Sequence, residues 1–256
     1  MAQIEKANFA EKEYEFAFNH EFVNEHKHFR DFSFRMPNLR QEAKVAYDTR
    51  FDWDREGLQF SKFFQYKIPE YVVHPKKSDV DILNFFKGPY FTYGIRKTTK
   101  SQQHVLLYLL SRGGEDVSYA SPLFHNRKNF LENCKNNSIK QNSIFFDPKD
   151  IPLLVDDKQH YLSYDVAGTI GIFKSNPTKI PLKNFHDEEK KLKDTKLIDE
   201  DYIENLFEKL IKCIKETYQI DPTVRIPKEL KEAPSILSCI YLINEYFEMK
   251  WIMYGD

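Results

Sequence analysis

The sequence predicts a mixed α/β fold over residues 1–175, with a connecting segment and a helical tail over residues 176–256. Segments of alternating apolar residues, typical of strands, stand between segments with apolar residues at helical spacing. The chain of 256 residues is 41% hydrophobic, which is enough for a sizeable core. Residues 174–200 are rich in Lys, Asp, Pro and Asn, which indicates a solvated connection after the core.

The core is predicted to begin with a helix and an aromatic hairpin. The helix covers residues 7–28, and its apolar arc is made of Tyr14, Ala17, Phe18 and Phe22. Residues 43–51 (AKVAYDTRF) and 58–68 (LQFSKFFQYKI) alternate like strands. The segment DWDREG between them predicts a turn, so the two strands are expected to pair.

The rest of the chain alternates between predicted strands and helices. The expected core elements are a helix at 79–87, a strand at 90–96, a helix at 99–110, a strand at 116–120, a helix at 125–136, and strands at 143–146, 160–164 and 169–173. Two helices follow, at 201–219 and 234–254. The last one is apolar around most of its circumference but contains charged residues, so we expect a buried or interface helix and no membrane span.

Composition excludes several classes of protein. The net charge is −1, so the whole chain is not a basic nucleic-acid coat, although a local basic patch is compatible with it. The chain has 8 Gly and no G-x-x-x-x-G-K-[ST] segment, which argues against a nucleotide-driven motor. Cys134, Cys213 and Cys239 are far apart, which fits a reducing compartment. No apolar leader is visible at the N-terminus, and we expect a cytoplasmic protein.

Four polar residues stand where an ordinary core needs none. Gln65 and Lys67 are two residues apart on a predicted strand, so their side chains point to the same face. Hairpin pairing brings Asp48 beside them. Glu21 falls inside the apolar arc of the first helix, where a carboxylate needs a cation or a lysine as partner.

These groups predict a site for Mg²⁺ (or Mn²⁺). The predicted ligands are the Asp48 carboxylate, the Gln65 amide oxygen and the backbone carbonyl of Tyr66, since hard cations prefer oxygen. Lys67 could orient a water or stabilise charge on a phosphate. Glu21 could hold a second cation or a metal-bound water. The predicted chemistry is metal-assisted hydrolysis of a phosphodiester bond.

The order of these elements resembles the PD-(D/E)xK restriction-endonuclease-like nuclease superfamily. Its core motif, Asp followed by (Asp/Glu/Gln)-x-Lys, matches YDTRF (Asp48) and FFQYK (Gln65, Lys67), with NHEF (Glu21) upstream. The resemblance covers roughly residues 10–125. It implies a mixed β-sheet core flanked by helices, metal ligation by Asp48 and Gln65, catalysis by Lys67 and a carboxylate role for Glu21. It also implies DNA as substrate and a role in restriction or anti-phage defence.

Two positions depart from the superfamily pattern. Gln65 stands at the position that is usually acidic, and a neutral ligand weakens the affinity for a metal. Tyr47, and not proline, precedes Asp48.

Other polar residues near the site are candidates for weaker roles. The predicted contacts to nucleic acid are Lys62, Arg96, Lys97, Lys100, Gln103 and His104; an ordinary solvated face is the alternative for the charged ones. Gln103 and His104 start a predicted helix, and the resemblance implies that a polar residue of this helix can face the site; a helix-cap or surface role is the alternative. Asp52 or Asp54 could replace Asp48 as a ligand, although both are predicted as turn residues. His125 could contact a phosphate.

A different class of function is also compatible with the sequence. Asp48 could simply pair with Arg50, and Lys67 could be the charged end of an edge strand. The chain would then be a non-catalytic α/β module that binds a protein partner, or a second copy of itself, through its C-terminal helices.

Overall fold

The computed structural model describes residues 3–37, 46–55, 58–74, 80–95, 103–154, 156, 158–185, 208, 211–212 and 215. In these residues the helices are α1 (Glu11–His26), α2 (Val80–Leu83), α3 (Gln103–Gly113) and α4 (Arg127–Asn136), with a short 3-10 helix at Pro148–Asp150. The strands are β1 (Gln3–Lys6), β2 (Arg30–Arg35), β3 (Thr49–Arg55), β4 (Leu58–Tyr66), β5 (Glu70–His74), β6 (Tyr90–Ile95), β7 (Asp116–Pro122), β8 (Ser143–Phe146), β9 (His160–Asp165), β10 (Gly171–Phe173), β11 (Thr178–Ile180) and β12 (Lys183–Asn184). The predicted mixed α/β class is confirmed.

The strands form two sheets of six. The antiparallel sheet has the order β1-β5-β6-β9-β10-β11. The mixed sheet has the order β12-β8-β7-β4-β3-β2, and its one parallel pair is β4 with β7. The chain leaves β4, adds β5 and β6 to the antiparallel sheet, and returns through α3 to β7. A parallel pair needs such a long crossover.

Alternation along β4 divides the core into two layers. Phe64 and Tyr66 belong to an aromatic cluster with α1 and α4 on one face of the mixed sheet. Phe63 belongs to a second cluster on the opposite face, with α3 and the antiparallel sheet. Because side chains alternate along a strand, Gln65 faces the α3 side and not the α1 side.

The predicted hairpin is present, but its turn was placed too early. β3 continues through Asp52 and Asp54 to Arg55, so the prediction of a turn at DWDREG was wrong for its first four residues. The reason is the alternation of Phe51 and Trp53, which are both buried in the cluster with α1. Because these two rings are buried, the backbone stays extended through Asp52 and Asp54, although aspartate favours turns.

Several strands differ from the prediction. The strand predicted at 90–96 is β6, which lies between β5 and β9 in the antiparallel sheet. β1, β2, β5, β11 and β12 were not predicted, and β11 and β12 extend the two sheets beyond residue 175.

The predicted C-terminal helices lie mostly outside the described residues. Positions 208, 211, 212 and 215 are helical, and Ile211 packs against the core between the two sheets. In the described part of the chain, no helix combines the length and apolar character needed to cross a membrane.

Candidate functional site

The start of β3 brings Asp48 against the end of β4. The backbone amide of Asp48 donates to the Phe64 carbonyl over 2.9 Å, which continues the pairing of the two strands by one residue. The side chain of Asp48 then accepts two hydrogen bonds at Oδ2, from Gln65 Nε2 at 2.6 Å and from the backbone amide of Tyr66 at 2.8 Å. Asp48 and Gln65 are therefore in direct contact, as the hairpin predicts.

Gln103, the first residue of α3, connects Gln65 to Lys67. Gln103 Nε2 donates to Gln65 Oε1 over 2.6 Å, and Lys67 Nζ donates to Gln103 Oε1 over 3.2 Å. Asp48, Gln65, Gln103 and Lys67 thus form one hydrogen-bonded chain, which we call the polar chain. Their exposed fractions are 3%, 0%, 5% and 7%, so all four residues of the polar chain are buried. For Gln103 we expect a nucleic-acid contact or a position facing the site, and the structure shows these two partners.

The polar chain offers oxygens to a cation only if the Gln65 amide turns. Gln65 Nε2 lies 2.6 Å from Asp48 Oδ2 and 3.4 Å from the Tyr66 carbonyl oxygen, so it stands beside both of the other predicted ligands. An amide N–H repels a cation, whereas a half-turn of the side-chain amide exchanges its nitrogen and oxygen. The turned side chain would put a carboxylate, an amide oxygen and a backbone carbonyl together, which is a donor set that Mg²⁺ accepts. Gln103 would then have to turn as well, because its Nε2 donates to the Gln65 oxygen in this structure.

Among the described residues, carboxylate, thiolate and imidazole side chains alone are too few around Asp48 to bind a metal ion. In the part of the chain that the structure describes, no three His, Cys, Asp or Glu side chains are grouped so as to hold a metal ion. A cation at Asp48 would depend on the amide and carbonyl oxygens and on water.

Burial makes Asp48 a weak acid. Desolvation is the largest effect and raises the pKa of Asp48 from 3.8 to about 7. The hydrogen bond from the Tyr66 amide and the charge of Lys67 oppose this rise, and the charges of Glu11 and Glu15 add to it. Asp48 can therefore gain or lose a proton near neutral pH.

Glu21 does not belong to this group. Its Oε1 accepts from the backbone amide of Ile139 at 2.9 Å and its Oε2 from that of Lys140 at 3.0 Å. α1 packs on the aromatic face of the mixed sheet, whereas Gln65 faces α3. We therefore correct the assignment of Glu21: it holds the loop before β8, and its contacts give it no role beside Asp48.

Glu15 is the buried helix carboxylate whose charge acts on Asp48. It is 1% exposed, and its Oε2 lies 2.7 Å from Lys12 Nζ. Four residues further along α1, Asn19 donates to Thr49 Oγ1 at 3.0 Å and accepts from the Tyr66 hydroxyl. Sequence reasoning missed this stripe. Its signal was the i, i+4, i+8 spacing of Glu11, Glu15 and Asn19, which places them on one helix face.

Two of the predicted nucleic-acid contacts are buried elsewhere. Lys62 is 1% exposed and pairs with Asp116 at 2.8 Å. His104 is 3% exposed, and its ring nitrogens lie 3.0 Å from the Tyr119 hydroxyl and 3.1 Å from the Pro152 carbonyl. Burial lowers the pKa of His104 to about 4, so it is neutral at pH 7. Both residues support the core, and we correct their assignment accordingly.

The other candidates have separate positions. Arg96, Lys97 and Lys100 lie outside the described residues. Asp52 accepts from Arg50 at 2.7 Å and from Ser61 at 2.6 Å, so it is held by its own network on β3 and β4. His125 lies 3.0 Å from Glu5 and stacks on a tyrosine ring.

Comparison with protein-family models, with curated proteins and with solved structures found no match for this chain. The case for a function therefore depends on the polar chain and its chemistry.

Proposed function

We propose that the protein is a divalent-metal-dependent nuclease that hydrolyses phosphodiester bonds in DNA. The observation that supports this most is the contact between Asp48 Oδ2 and the Gln65 side-chain amide at 2.6 Å, with Lys67 joined to the same group through Gln103. The polar chain buries a carboxylate, two amides and an ammonium group. Burying polar groups costs free energy, and packing of the β-sheet does not require them.

The residues that would hold the cation are Asp48, Gln65 through its amide oxygen, and Tyr66 through its backbone carbonyl. A bound Mg²⁺ or Mn²⁺ would supply a polarised phosphate oxygen and an activated water. Asp48 must lose its proton to become a ligand. Its pKa of about 7 means that this loss costs little free energy at slightly alkaline pH.

Lys67 is the group proposed to act on the phosphate. Lys67 is 7% exposed, the largest fraction in the polar chain, and its ammonium already lies within hydrogen-bond distance of Gln103 Oε1. An ammonium group held in a site of low polarity stabilises negative charge that develops on a phosphate oxygen. Gln103 is a positioning residue in this proposal, because it fixes both Gln65 and Lys67.

The substrate and biological role follow from the sequence resemblance. The Asp, Gln-x-Lys pattern resembles nucleases that act on DNA in restriction and anti-phage defence, and we extend that role to this chain as part of the proposal. Arg96, Lys97 and Lys100 precede Gln103 in the sequence by three to seven residues, and a basic segment there would favour a phosphate backbone.

The test is cleavage of supercoiled plasmid, linear duplex and single-stranded DNA by the full chain with Mg²⁺ or Mn²⁺. We expect nicking or cutting that EDTA stops and that Asp48→Asn removes. The matched control is Ser33→Ala. Ser33 is an exposed residue of β2 and does not belong to the polar chain, so this variant should cut DNA like the wild type. Intact substrates under all these conditions, from folded protein, would refute the proposal.

A further inference from the structure

A second cluster of reactive side chains lies at one end of the inner strand β9 of the antiparallel sheet. His160 is the first residue of β9, Ser175 lies in the turn between β10 and β11, and Asp156 lies in the loop before β9. His160 Nε2 is 2.5 Å from Asp156 Oδ1, and His160 Nδ1 is 2.8 Å from Ser175 Oγ. The three side chains therefore make a continuous Asp–His–Ser relay.

The two hydrogen bonds set the roles of the ring nitrogens. Asp156 accepts, so the proton of a neutral imidazole lies on Nε2, and Nδ1 is then free of a proton and can accept from the Ser175 hydroxyl. The hydrogen bond from His160 is the largest of the effects that lower the pKa of Asp156, so this carboxylate is ionised at neutral pH. A nucleophile that donates to a base, with the base oriented by a carboxylate, is the arrangement that activates a serine.

Packing holds the imidazole in this orientation. His160 is 7% exposed and stacks on Phe173 with ring centres 5.4 Å apart and an angle of 18° between the rings. Ser175 itself is exposed. A buried, oriented base next to an exposed hydroxyl allows a reagent to approach from solvent without movement of the base.

We propose that Ser175, His160 and Asp156 form a second reactive centre, in which Ser175 is a nucleophile toward small esters with good leaving groups. Ser175 Oγ forms a bond to the acyl carbon while its proton moves to His160 Nδ1. The bond from that carbon to the leaving oxygen breaks, and His160 returns the proton to the departing alcohol. Water then releases the acid and restores the serine. Ser175 lies in an exposed surface turn, so a small ester can reach it from solvent. The most direct measure of its reactivity is covalent labelling with one label per chain.

The test is labelling of the full chain with a fluorophosphonate ester, followed by peptide mass spectrometry. The reagent forms an Oγ–P bond and releases fluoride, with the proton taken by His160. We expect Ser175 to react at least about 100 times faster than Ser33, which is exposed on β2, because a positioned general base contributes 10²-fold or more. Ser175→Ala should remove the label, and Ser33→Ala should leave it unchanged.

Two further variants separate the relay from an ordinary surface serine. Asp156→Asn changes an exposed loop residue, so the fold should persist, and it should slow labelling by about tenfold or more because the imidazole loses its oriented tautomer. His160→Gln should abolish labelling, with circular dichroism as the check on folding. Labelling of Ser175 at the rate of Ser33, or labelling that Asp156→Asn does not slow, would overturn the proposal. The Asp48→Asn protein should label like the wild type, since neither of the two hydrogen bonds that make this relay involves Asp48.

Discussion

The Gln65 side-chain amide donates to Asp48 Oδ2 over 2.6 Å, across the antiparallel pair β3 and β4. The same Oδ2 accepts from the Tyr66 backbone amide. One carboxylate oxygen thus accepts two hydrogen bonds at the position where the resemblance to nucleases predicts a cation. A cation at the proposed site would compete with the Gln65 amide for this oxygen.

Replacing the amide by a carboxylate should change the metal affinity. Gln65→Glu puts a second acidic group against Asp48, so the metal-free protein should lose about 1–3 kcal/mol of unfolding free energy through the lost hydrogen bond and charge repulsion. The rise in melting temperature on adding Mn²⁺ should be larger than in the wild type, because a ligand that binds only the folded state stabilises it. Gln65→Met is the matched control and should show no rise. Equal rises in all three proteins would contradict the predicted ligand role.

Stability should depend on pH through Asp48. Its pKa is about 7 in the folded protein and 3.8 ordinarily, so between these values the folded state holds a proton that the unfolded chain has released. This contribution is present below about pH 4 and is lost as the pH rises to about 7, an effect of a few kcal/mol at about 1.4 kcal/mol per pKa unit. Urea unfolding at pH 5 and pH 8 measures it.

Asp48→Asn is the control for that pH dependence. It keeps an acceptor oxygen for the Tyr66 amide but does not titrate, so the difference in stability between pH 5 and pH 8 should shrink. Glu115, whose pKa burial raises to about 7, is present in both proteins and does not affect the comparison. Identical pH profiles would show that Asp48 is not the buried weak acid described above.

Lys67 should matter for cleavage and not for cation binding. Lys67→Met removes the ammonium, and we expect cleavage to fall by about 10²–10³-fold, as for other groups that stabilise developing charge. The melting-temperature rise with Mn²⁺ should remain, since an ammonium is not a ligand. If Lys67→Met cuts DNA at the wild-type rate, the proposed role of Lys67 is wrong.

Glu21 and Glu15 should behave differently when neutralised. Glu21→Gln keeps one acceptor oxygen but sets an NH₂ group against the other of the Ile139 and Lys140 amides, so it should cost about 1–3 kcal/mol of unfolding free energy. The folded fraction should still bind Mn²⁺ as the wild type does. Glu15→Gln removes a charge that raises the pKa of Asp48, so the pH at which Mn²⁺ begins to bind should move down. Mn²⁺ titrations at several pH values distinguish the two, and a shift for Glu21→Gln but not for Glu15→Gln would contradict this assignment.

Sequence reasoning could predict the pairs that depend on short-range periodicity. Gln65 and Lys67 share a face because strand side chains alternate, and Asp48 meets Gln65 because the hairpin pairs the two segments. The mixed α/β class follows from the same periodicities. These contacts depend on neighbours within one hairpin, which local pattern determines.

The residues that sequence reasoning misassigned depend on contacts between distant elements. Helical spacing shows that Glu21 is on the buried side of α1, but it cannot show that α1 covers the aromatic face of β4. It also cannot show that a loop near Ile139 supplies the partners of Glu21. Gln103 reaches Gln65 because the crossover returns α3 to the other face of the sheet; only the resemblance, and no local pattern, indicates that a residue of this helix can face the site.

Calorimetric titration of the full chain with Mn²⁺ at pH 8 measures binding at the proposed cation site itself. We expect saturable binding to the wild type, loss of that binding in Asp48→Asn, and its retention in Lys67→Met. No binding to the folded wild type, or equal binding to Asp48→Asn, would contradict the claim that Asp48 and Gln65 form a cation site.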